Sequence, residues 1–188
     1  MNLLKAMLGG LMLAAAPLAA LAEDMSYSYI DLAYVDTDID GVGPSLDGFG
    51  LRGSIGFAEN WFAFGEFAAQ SVSGVDLDTY TVGLGGHYGV ADNLDLFGRL
   101  GWTKVEISSG PIDIDDDGYL IDAGLRGRVG DAVELEGGVR YTDFSDGGDA
   151  TGLFVGGRFH FNETWALGAE YQDGDDSSTI LAYVRASF

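Results

Sequence analysis

Apolar and polar residues alternate along most of the chain, and four stretches repeat this alternation on both sides of a tight turn. These stretches are residues 50–67, 83–100, 124–140 and 154–171. A side-chain period of two marks a β-strand, and evenly spaced units of this kind indicate consecutive hairpins. With a first strand near 26–36 and a last strand near 178–188, the pattern predicts an all-β, up-and-down antiparallel barrel of about ten strands, with eight as the alternative.

The alternation assigns two faces to the predicted sheet. One face is apolar and comprises Ile30, Leu32, Leu51, Ile55, Val82, Leu84, Leu96, Leu100, Ile121, Leu125, Leu135, Val139, Val155, Phe159, Leu167, Ile180, Val184 and Phe188. The opposite face carries every arginine of the chain and several carboxylates. They are Arg52, Glu66, Asp95, Arg99, Asp122, Arg126, Arg128, Glu134, Glu136, Arg140, Arg158, Glu170 and Arg185.

Periodicity alone leaves open whether the apolar face packs inside a soluble barrel or contacts lipid. The aromatic residues of that face favour lipid, because they collect near the strand ends. Tyr34, Tyr80, Trp102, Tyr119, Tyr141 and Tyr171 lie toward the predicted long loops, and Phe57, Trp61, Phe161 and Trp165 lie toward the short turns. Two aromatic belts around an aliphatic band are typical of a membrane-spanning surface. The pattern therefore predicts a transmembrane β-barrel.

The first 22 residues have the composition of a targeting segment. Lys5 precedes an apolar run that ends in Ala20-Leu21-Ala22, a small-x-small cleavage pattern. The run is short for a membrane-anchoring helix, and acidic residues follow it. We therefore expect a signal peptide over residues 1–22 and an exported barrel over residues 23–188.

Composition excludes several functions. The net charge of −21 argues against nucleic acid, whose phosphates recruit lysine and arginine. The absence of cysteine excludes disulfides, zinc–thiolate sites and thiol catalysis.

From the hairpin pattern to the terminal Phe188, the chain resembles small outer-membrane β-barrel proteins of Gram-negative bacteria. The resemblance implies a place in the cell outer membrane, in contact with its lipid and with lipopolysaccharide. It also implies that Phe188 is the assembly signal read by the barrel-assembly machinery. The stretches SYSYIDLAYVDTDIDG and DGFGLRGSI are similar to a small-barrel family once described as a secreted quorum-sensing factor, which implies no chemistry.

A barrel of about ten strands encloses a narrow lumen, so its arginines and carboxylates should interdigitate as ion pairs. Two interpretations remain open for this lumen network. The charges could fill the lumen and fix the strand register, or they could line a thin pore for ions or small solutes. The lumen thus indicates a porin-like or structural role.

The predicted long loops near 36–47, 72–78, 106–117, 143–149 and 173–176 contain sixteen aspartates and no lysine or arginine. In two of these loops, alternate aspartates precede a glycine, as in the first half of a calcium loop. The candidate ligands for a weak Ca²⁺ or Mg²⁺ site are Asp36, Asp38, Asp40, Asp47, Asp113, Asp115 and Asp117. The alternative is that the acidic loops only keep the outer surface hydrated. Divalent-cation or partner binding by these loops supports a surface-binding or adhesion role as the second function.

Catalysis is not expected. Barrel enzymes of this topology need a histidine paired with an acid or serine near the outer rim, whereas His87 and His160 lie near the short turns. The glycine-rich stretch GLGGHYG lies on a strand with no helix after it, so it cannot form a phosphate loop.

Overall fold

The computed structural model describes residues 25–41 and 43–188, and these residues form one closed antiparallel barrel of ten strands. The strands are β1 Tyr29–Ile39, β2 Leu46–Ala58, β3 Trp61–Val72, β4 Val75–Ala91, β5 Leu94–Ser109, β6 Ile112–Val129, β7 Val133–Phe144, β8 Gly148–His160, β9 Trp165–Asp173 and β10 Ser177–Ser187. The predicted fold class and strand number are confirmed. The predicted signal peptide, residues 1–22, lies outside the described residues.

Each strand pairs with its neighbours in sequence, and β1 closes the barrel against β10 with Tyr29 opposite Ser187. Both ends of the described chain therefore lie at one end of the barrel, which we call the terminal end. The connections 59–60, 92–93, 130–132 and 161–164 also lie there. The opposite end, called the distal end, carries the other five connections. No helix in residues 25–41 and 43–188 is long and apolar enough to cross a membrane.

The apolar face points outward and the charged face lines the lumen. Neighbouring residues on β1 make the contrast plain, since Leu32 is 63% exposed and Asp31 is 0% exposed. Every residue assigned to the apolar face is exposed except Leu125, which is half-buried. An inward-facing charged set and an outward-facing aliphatic set are the arrangement of a barrel surrounded by lipid.

Inward-pointing aromatic rings pack on glycine backbone inside the barrel. The Tyr183 ring lies over Gly168, where an added Cβ would come within 2.4 Å of Tyr183 Cζ. Phe62 covers Gly85 in the same way, with a Cβ-to-ring distance of 2.2 Å. A side chain larger than hydrogen would therefore clash, and these glycines let the rings pack inside the barrel.

The predicted long loops are wrong, because the strands continue through most of them. Asp36 and Asp38 belong to β1, Asp47 to β2, and Asp113, Asp115 and Asp117 to β6. The connection between β5 and β6 is reduced to residues 110–111, where Pro111 lies. With 18 residues, β6 is far longer than the about ten that a tilted strand needs to cross a bilayer. The distal end is therefore built of extended hairpins.

The polarity of the two faces inverts beyond the distal aromatic belt. On β6 the outward residues change from Ile121 and Tyr119 to Asp117, Asp115 and Asp113, while the inward ones include Ile114 and Ile112. Other strands show the same inversion. On β1, for example, the outward residues change from Tyr34 to Asp36 and Asp38. Apolar groups inside and charged groups outside are the arrangement of a sheet in water. The belt therefore marks the boundary of the apolar band.

Candidate functional site in the lumen and at the distal rim

The inner wall carries seven arginines and seven carboxylates. The carboxylates are Asp31, Glu66, Asp95, Asp122, Glu134, Glu136 and Glu170, and the arginines are Arg52, Arg99, Arg126, Arg128, Arg140, Arg158 and Arg185. The structure places all thirteen residues of the predicted lumen network on this wall, and each of them has a partner of opposite charge except Asp95, which contacts His87. Asp31, at the centre of the network, is the addition that the sequence pattern did not single out.

Asp31 joins β1 to its two neighbours. Its carboxylate accepts two hydrogen bonds from Arg185, at 2.7 Å from Nε and 2.8 Å from Nη2, and lies 3.0 Å from Arg52 Nη2. Arg52 extends the chain of pairs to Glu170 of β9 through a 2.9 Å hydrogen bond. Because this cluster spans the β1–β10 closure, it ties together the two ends of the sheet.

A second cluster surrounds Asp122 of β6, on the other side of the lumen. Asp122 accepts hydrogen bonds from Arg140, with Nε at 2.9 Å, and from Arg99. Arg99 also donates to Glu66 at 2.7 Å. These contacts link β3, β5, β6 and β7 along one side of the wall.

The third cluster lies near the terminal end around Glu134, which is 0% exposed. Its carboxylate pairs with Arg126, with Arg158 Nη1 at 2.8 Å and with Arg128 Nε at 3.8 Å. His160 Nε2 lies 3.2 Å from the same carboxylate. Arg158 also pairs with Glu136. A fully buried carboxylate shared by several cations is stable only while they remain beside it.

His87, the second histidine, also lies in the lumen near the terminal end. Its Nδ1 is 3.3 Å from Asp95 Oδ2, and its ring stacks on Tyr27 with centroids 4.0 Å apart. Both histidines are therefore held in the lumen network, at the end away from the distal rim.

Two cavities lie along the lumen. The inner one, about 40 Å³, is lined by aromatic rings and charged side chains: Tyr27, Tyr29, Arg52, Phe62, Phe97, Arg99, Arg126, Glu136, Phe154, Glu170 and Arg185. The outer one, about 130 Å³, lies toward the distal end among residues of β7 to β10 and shares Phe154 as lining. The inner cavity has room for about three water molecules.

Outward-facing carboxylates surround the barrel just beyond the distal aromatic belt, and we call them the distal rim. They are Asp36, Asp38, Asp47, Asp76, Asp78, Glu106, Asp113, Asp115, Asp117, Asp143, Asp149 and Asp173, and none of them is buried. Side chains of the distal aromatic belt donate hydrogen bonds to carboxylates of this rim. Trp102 Nε1 donates to Asp117 at 2.9 Å, and the Tyr119 hydroxyl donates to Asp143 at 2.6 Å.

Lys104 lies in the distal rim, on β5 beyond Trp102. Its ammonium is 2.6 Å from Glu106 Oε1 and 3.2 Å from Asp115 Oδ2. Hydrogen bonds to these two carboxylates raise the pKa of Lys104 above its ordinary value. The only lysine of the described residues is therefore engaged by the rim itself.

The candidate calcium loops do not form as predicted. Asp36 lies directly opposite Asp47 on paired strands, and Asp113, Asp115 and Asp117 follow one face of β6 at the spacing of alternate strand residues. An extended strand cannot wrap its carboxylates around one ion as a calcium loop does. Asp40 follows β1 in the first connection. Within the described ranges, no three acidic, histidine or cysteine side chains are grouped so that they could hold a metal.

Tyr27 is a second lumen residue, besides Asp31, that sequence reasoning missed. The pattern placed it in the first strand, whereas β1 begins at Tyr29 and Tyr27 turns into the lumen, where it is 8% exposed. Its only sequence signal is a tyrosine beside small serines, and that signal cannot reveal a contact across the barrel.

Comparison with solved structures places the chain among small barrels. A KdgM porin in complex with disordered oligogalacturonate is 14% identical, with a TM-score of 0.51, over 85% of this chain and 99% of that one. The Yersinia pestis outer membrane protein Ail in a nanodisc is 16% identical, with a TM-score of 0.47, over 87% of this chain and 100% of its own. Neisserial surface protein A is 18% identical, with a TM-score of 0.42, over 88% of this chain and 100% of its own.

No curated protein sequence matches the chain. The family comparison, in contrast, covers nearly its whole length, with a match to the outer membrane protein beta-barrel domain over residues 6–182. That match agrees with the closed barrel, the outward apolar band and the charged lumen. The chain belongs to the outer membrane protein beta-barrel domain family.

Proposed function

We propose that this barrel has a structural role in the outer membrane and that its lumen is closed to solutes at rest. The terminal end then faces the periplasm and the distal end faces the outside. The observation that carries the proposal is the complete burial of lumen carboxylates. Asp31 and Glu134 are 0% exposed and Asp122 is 1% exposed.

The burial argues against a standing pore on physical grounds. A pore that passes hydrated solutes would also hydrate the charges along its wall. Here the carboxylates instead obtain their stabilisation from arginines at hydrogen-bond distance, because removing ions from water costs several kcal/mol each. The seven arginines and the seven carboxylates described on the inner wall also balance each other in formal charge.

Conductance of the refolded chain in a planar bilayer tests the closed lumen. We expect no discrete current steps from inserted wild-type protein. The Arg126→Ala/Arg128→Ala variant should either conduct or unfold more readily, because Glu134 loses two of its cations. Discrete steps from the wild type would refute the structural role and favour a porin, while an unchanged double variant would refute the role of the ion pairs.

A second function, surface binding at the distal end, is favoured by the hairpin of β5 and β6. Here β6 pairs with β5 up to Ile112, but its pairing with β7 begins only at Gly118. Within the described residues, the edge of β6 over residues 112–116 therefore has no strand beside it. Ile112 and Ile114 are 57% and 60% exposed on the same segment. An exposed edge with an apolar face and an acidic face fits a strand of alternating apolar and basic residues.

The test of this second function uses a synthetic strand peptide of alternating valine and lysine as the probe. It should bind the full-length barrel in nanodiscs, and binding should weaken with salt and with Asp113→Asn/Asp115→Asn. Substituting Asp173→Asn on β9, three strands away from β6, is the matched control. Equal binding to all variants would refute an edge-specific site.

We also propose contacts with lipopolysaccharide and with the barrel-assembly machinery. The ring of outward carboxylates supports contact with anionic lipopolysaccharide through divalent cations drawn from solution, without a chelating loop. Phe188 supports recognition by the assembly machinery, because it is 69% exposed at the terminal end, and its N–H donates to the Ser28 carbonyl of the neighbouring segment at 3.1 Å.

A further inference from the structure

The segment before β1 crosses the lumen at the terminal end. Residues 25–28, which we call the N-terminal strap, lead into β1, yet Tyr27 contacts β4, β5 and β6. In a closed barrel of ten strands, β6 lies five strands from β1 in either direction. A residue that precedes β1 and touches the β6 wall must therefore span the lumen.

The strap is held by specific contacts on both walls. On the near wall, Ser54 of β2 donates its hydroxyl to the Tyr27 carbonyl at 2.7 Å. On the far wall, the Tyr27 hydroxyl donates to Asp95 at 3.0 Å, and Arg126 Nη2 donates to the Ser26 carbonyl at 2.9 Å. The Tyr27 ring lies between the His87 ring and the Arg126 guanidinium, whose centre is 4.5 Å from the ring centroid. These contacts fix the strap in one position.

The Tyr27 ring is the terminal-side wall of the inner cavity. Its stacking partner Phe62 and the neighbouring Phe97 line the same cavity. Phe154 lines both this cavity and the outer one, so its ring lies where the two meet. The lumen therefore contains a chamber with one aromatic wall toward each end.

Arginines outnumber carboxylates among the side chains that line the chamber, although the arginine partners Asp31, Asp122 and Glu134 lie outside this lining. Four arginines line it against two glutamates, Glu136 and Glu170. Within the described part of the chain, the Nε groups of Arg52 and Arg99 are buried and have no hydrogen-bond acceptor. These N–H groups leave donor capacity that an anion or water could use.

We propose that the N-terminal strap is a plug, and that displacing its Tyr27 ring opens the terminal end of a narrow, anion-preferring path through the arginine chamber. The proposal rests on the closed lumen proposed above and identifies the element that closes the periplasmic end. Phe154 closes the other end of the chamber. Conduction therefore requires both rings to leave the path. Of the two, the Tyr27 ring can move without breaking a strand, because it belongs to the strap, whereas Phe154 belongs to β8.

The experiment compares variants of the full chain in planar bilayers with a potassium chloride gradient. Phe154→Ala removes the distal wall, and the Phe154→Ala/Tyr27→Ala double variant removes both. We expect the wild type and Phe154→Ala to be silent and the double variant to give discrete steps. The reversal potential of those steps should lie toward the chloride equilibrium potential, because arginines outnumber glutamates in the chamber.

Two controls separate the plug from general loosening of the barrel. Phe154→Ala/Tyr27→Phe keeps the ring and should remain silent. Phe154→Ala/Tyr88→Ala removes a tyrosine that faces outward near the same end, where it is 68% exposed, and should also remain silent. Far-ultraviolet circular dichroism confirms that each variant is folded before it is inserted.

Each other outcome overturns a defined statement. If the folded double variant is silent, or if Phe154→Ala or the Tyr88 control conducts as well as the double variant, the strap is not the plug. If the steps prefer potassium, the anion path is wrong. If the wild type conducts, the closed lumen of the proposed function fails instead.

Discussion

The replacement of Glu134 by glutamine tests whether buried ion pairs hold this lumen together. Glutamine preserves the shape of the side chain and removes its charge. Arg126 then loses its carboxylate partner, and Arg158 keeps only Glu136. Because Glu134 is 0% exposed, water cannot replace the lost charge. Breaking a buried pair on one side costs about 3–5 kcal/mol, so we expect Glu134→Gln to lower the free energy of unfolding by about that amount.

Urea unfolding in lipid vesicles measures this change through the fluorescence of the lipid-facing tryptophans Trp61, Trp102 and Trp165. At slopes typical of small proteins, the midpoint should fall by about 1–5 M. Glu163→Gln, in an exposed connection at the same end, is the matched control and should change the free energy by less than about 0.5 kcal/mol.

A second substitution sharpens the test. Arg126→Gln removes the cation that pairs with Glu134, so the double variant should lose less stability than the sum of the two single variants, by about 0.5–3 kcal/mol. If Glu134→Gln costs no more than Glu163→Gln, or if the two lumen substitutions simply add, the ion pairs do not stabilise the barrel and the reasoning fails.

Three further predictions follow from the fold. Gly168→Ala should destabilise the barrel by about 1–3 kcal/mol in the same urea assay, because the new methyl group meets the Tyr183 ring, whereas Gly53→Ala, with its nearest neighbour 3.8 Å away, should be neutral. Deleting Phe188 should reduce the amount of barrel in the outer membrane of cells without slowing refolding into detergent, and equal losses in both assays would contradict a role as assembly signal. Mass spectrometry of the exported chain should give Glu23 as its first residue, and a retained Met1 would contradict the signal peptide.

The alternation of side chains was sufficient to predict the ten strands and their two faces, since a period of two fixes which residues share a face. The aromatic belts then decided which face contacts lipid, as seen for Trp61 and Trp102, both of which are exposed. Thirteen members of the lumen network could be predicted for the same reason, but Asp31 was missed. Their specific partners could not be predicted, because ion pairs such as Arg52 with Glu170 join β2 to β9 past the closure of β1 against β10.

The distal hairpins show where the pattern misled. Aspartate and glycine commonly end strands, so the segments around Asp36 and Asp115 were interpreted as loops. Apolar and polar residues still alternate through both segments, but there the polar residues lie on the face that is apolar in the rest of the strand. This reversal is the signal from which longer strands could have been predicted. The position of Tyr27 had no such signal, since its contacts depend on the closure of β1 against β10.

The inverted polarity also limits how deep the barrel can sit. A shift toward the terminal end by one pair of strand residues would draw Asp36, Asp117 and Asp143 into hydrocarbon around much of the circumference. Charged groups on a lipid-facing wall are penalised increasingly with depth, so the penalties of the ring would add together. A shift outward would instead expose aliphatic residues such as Ile121 to water. The residues on the outer face therefore fix the depth of the barrel in the membrane, and a thinner or thicker membrane would have to adjust its thickness around the protein.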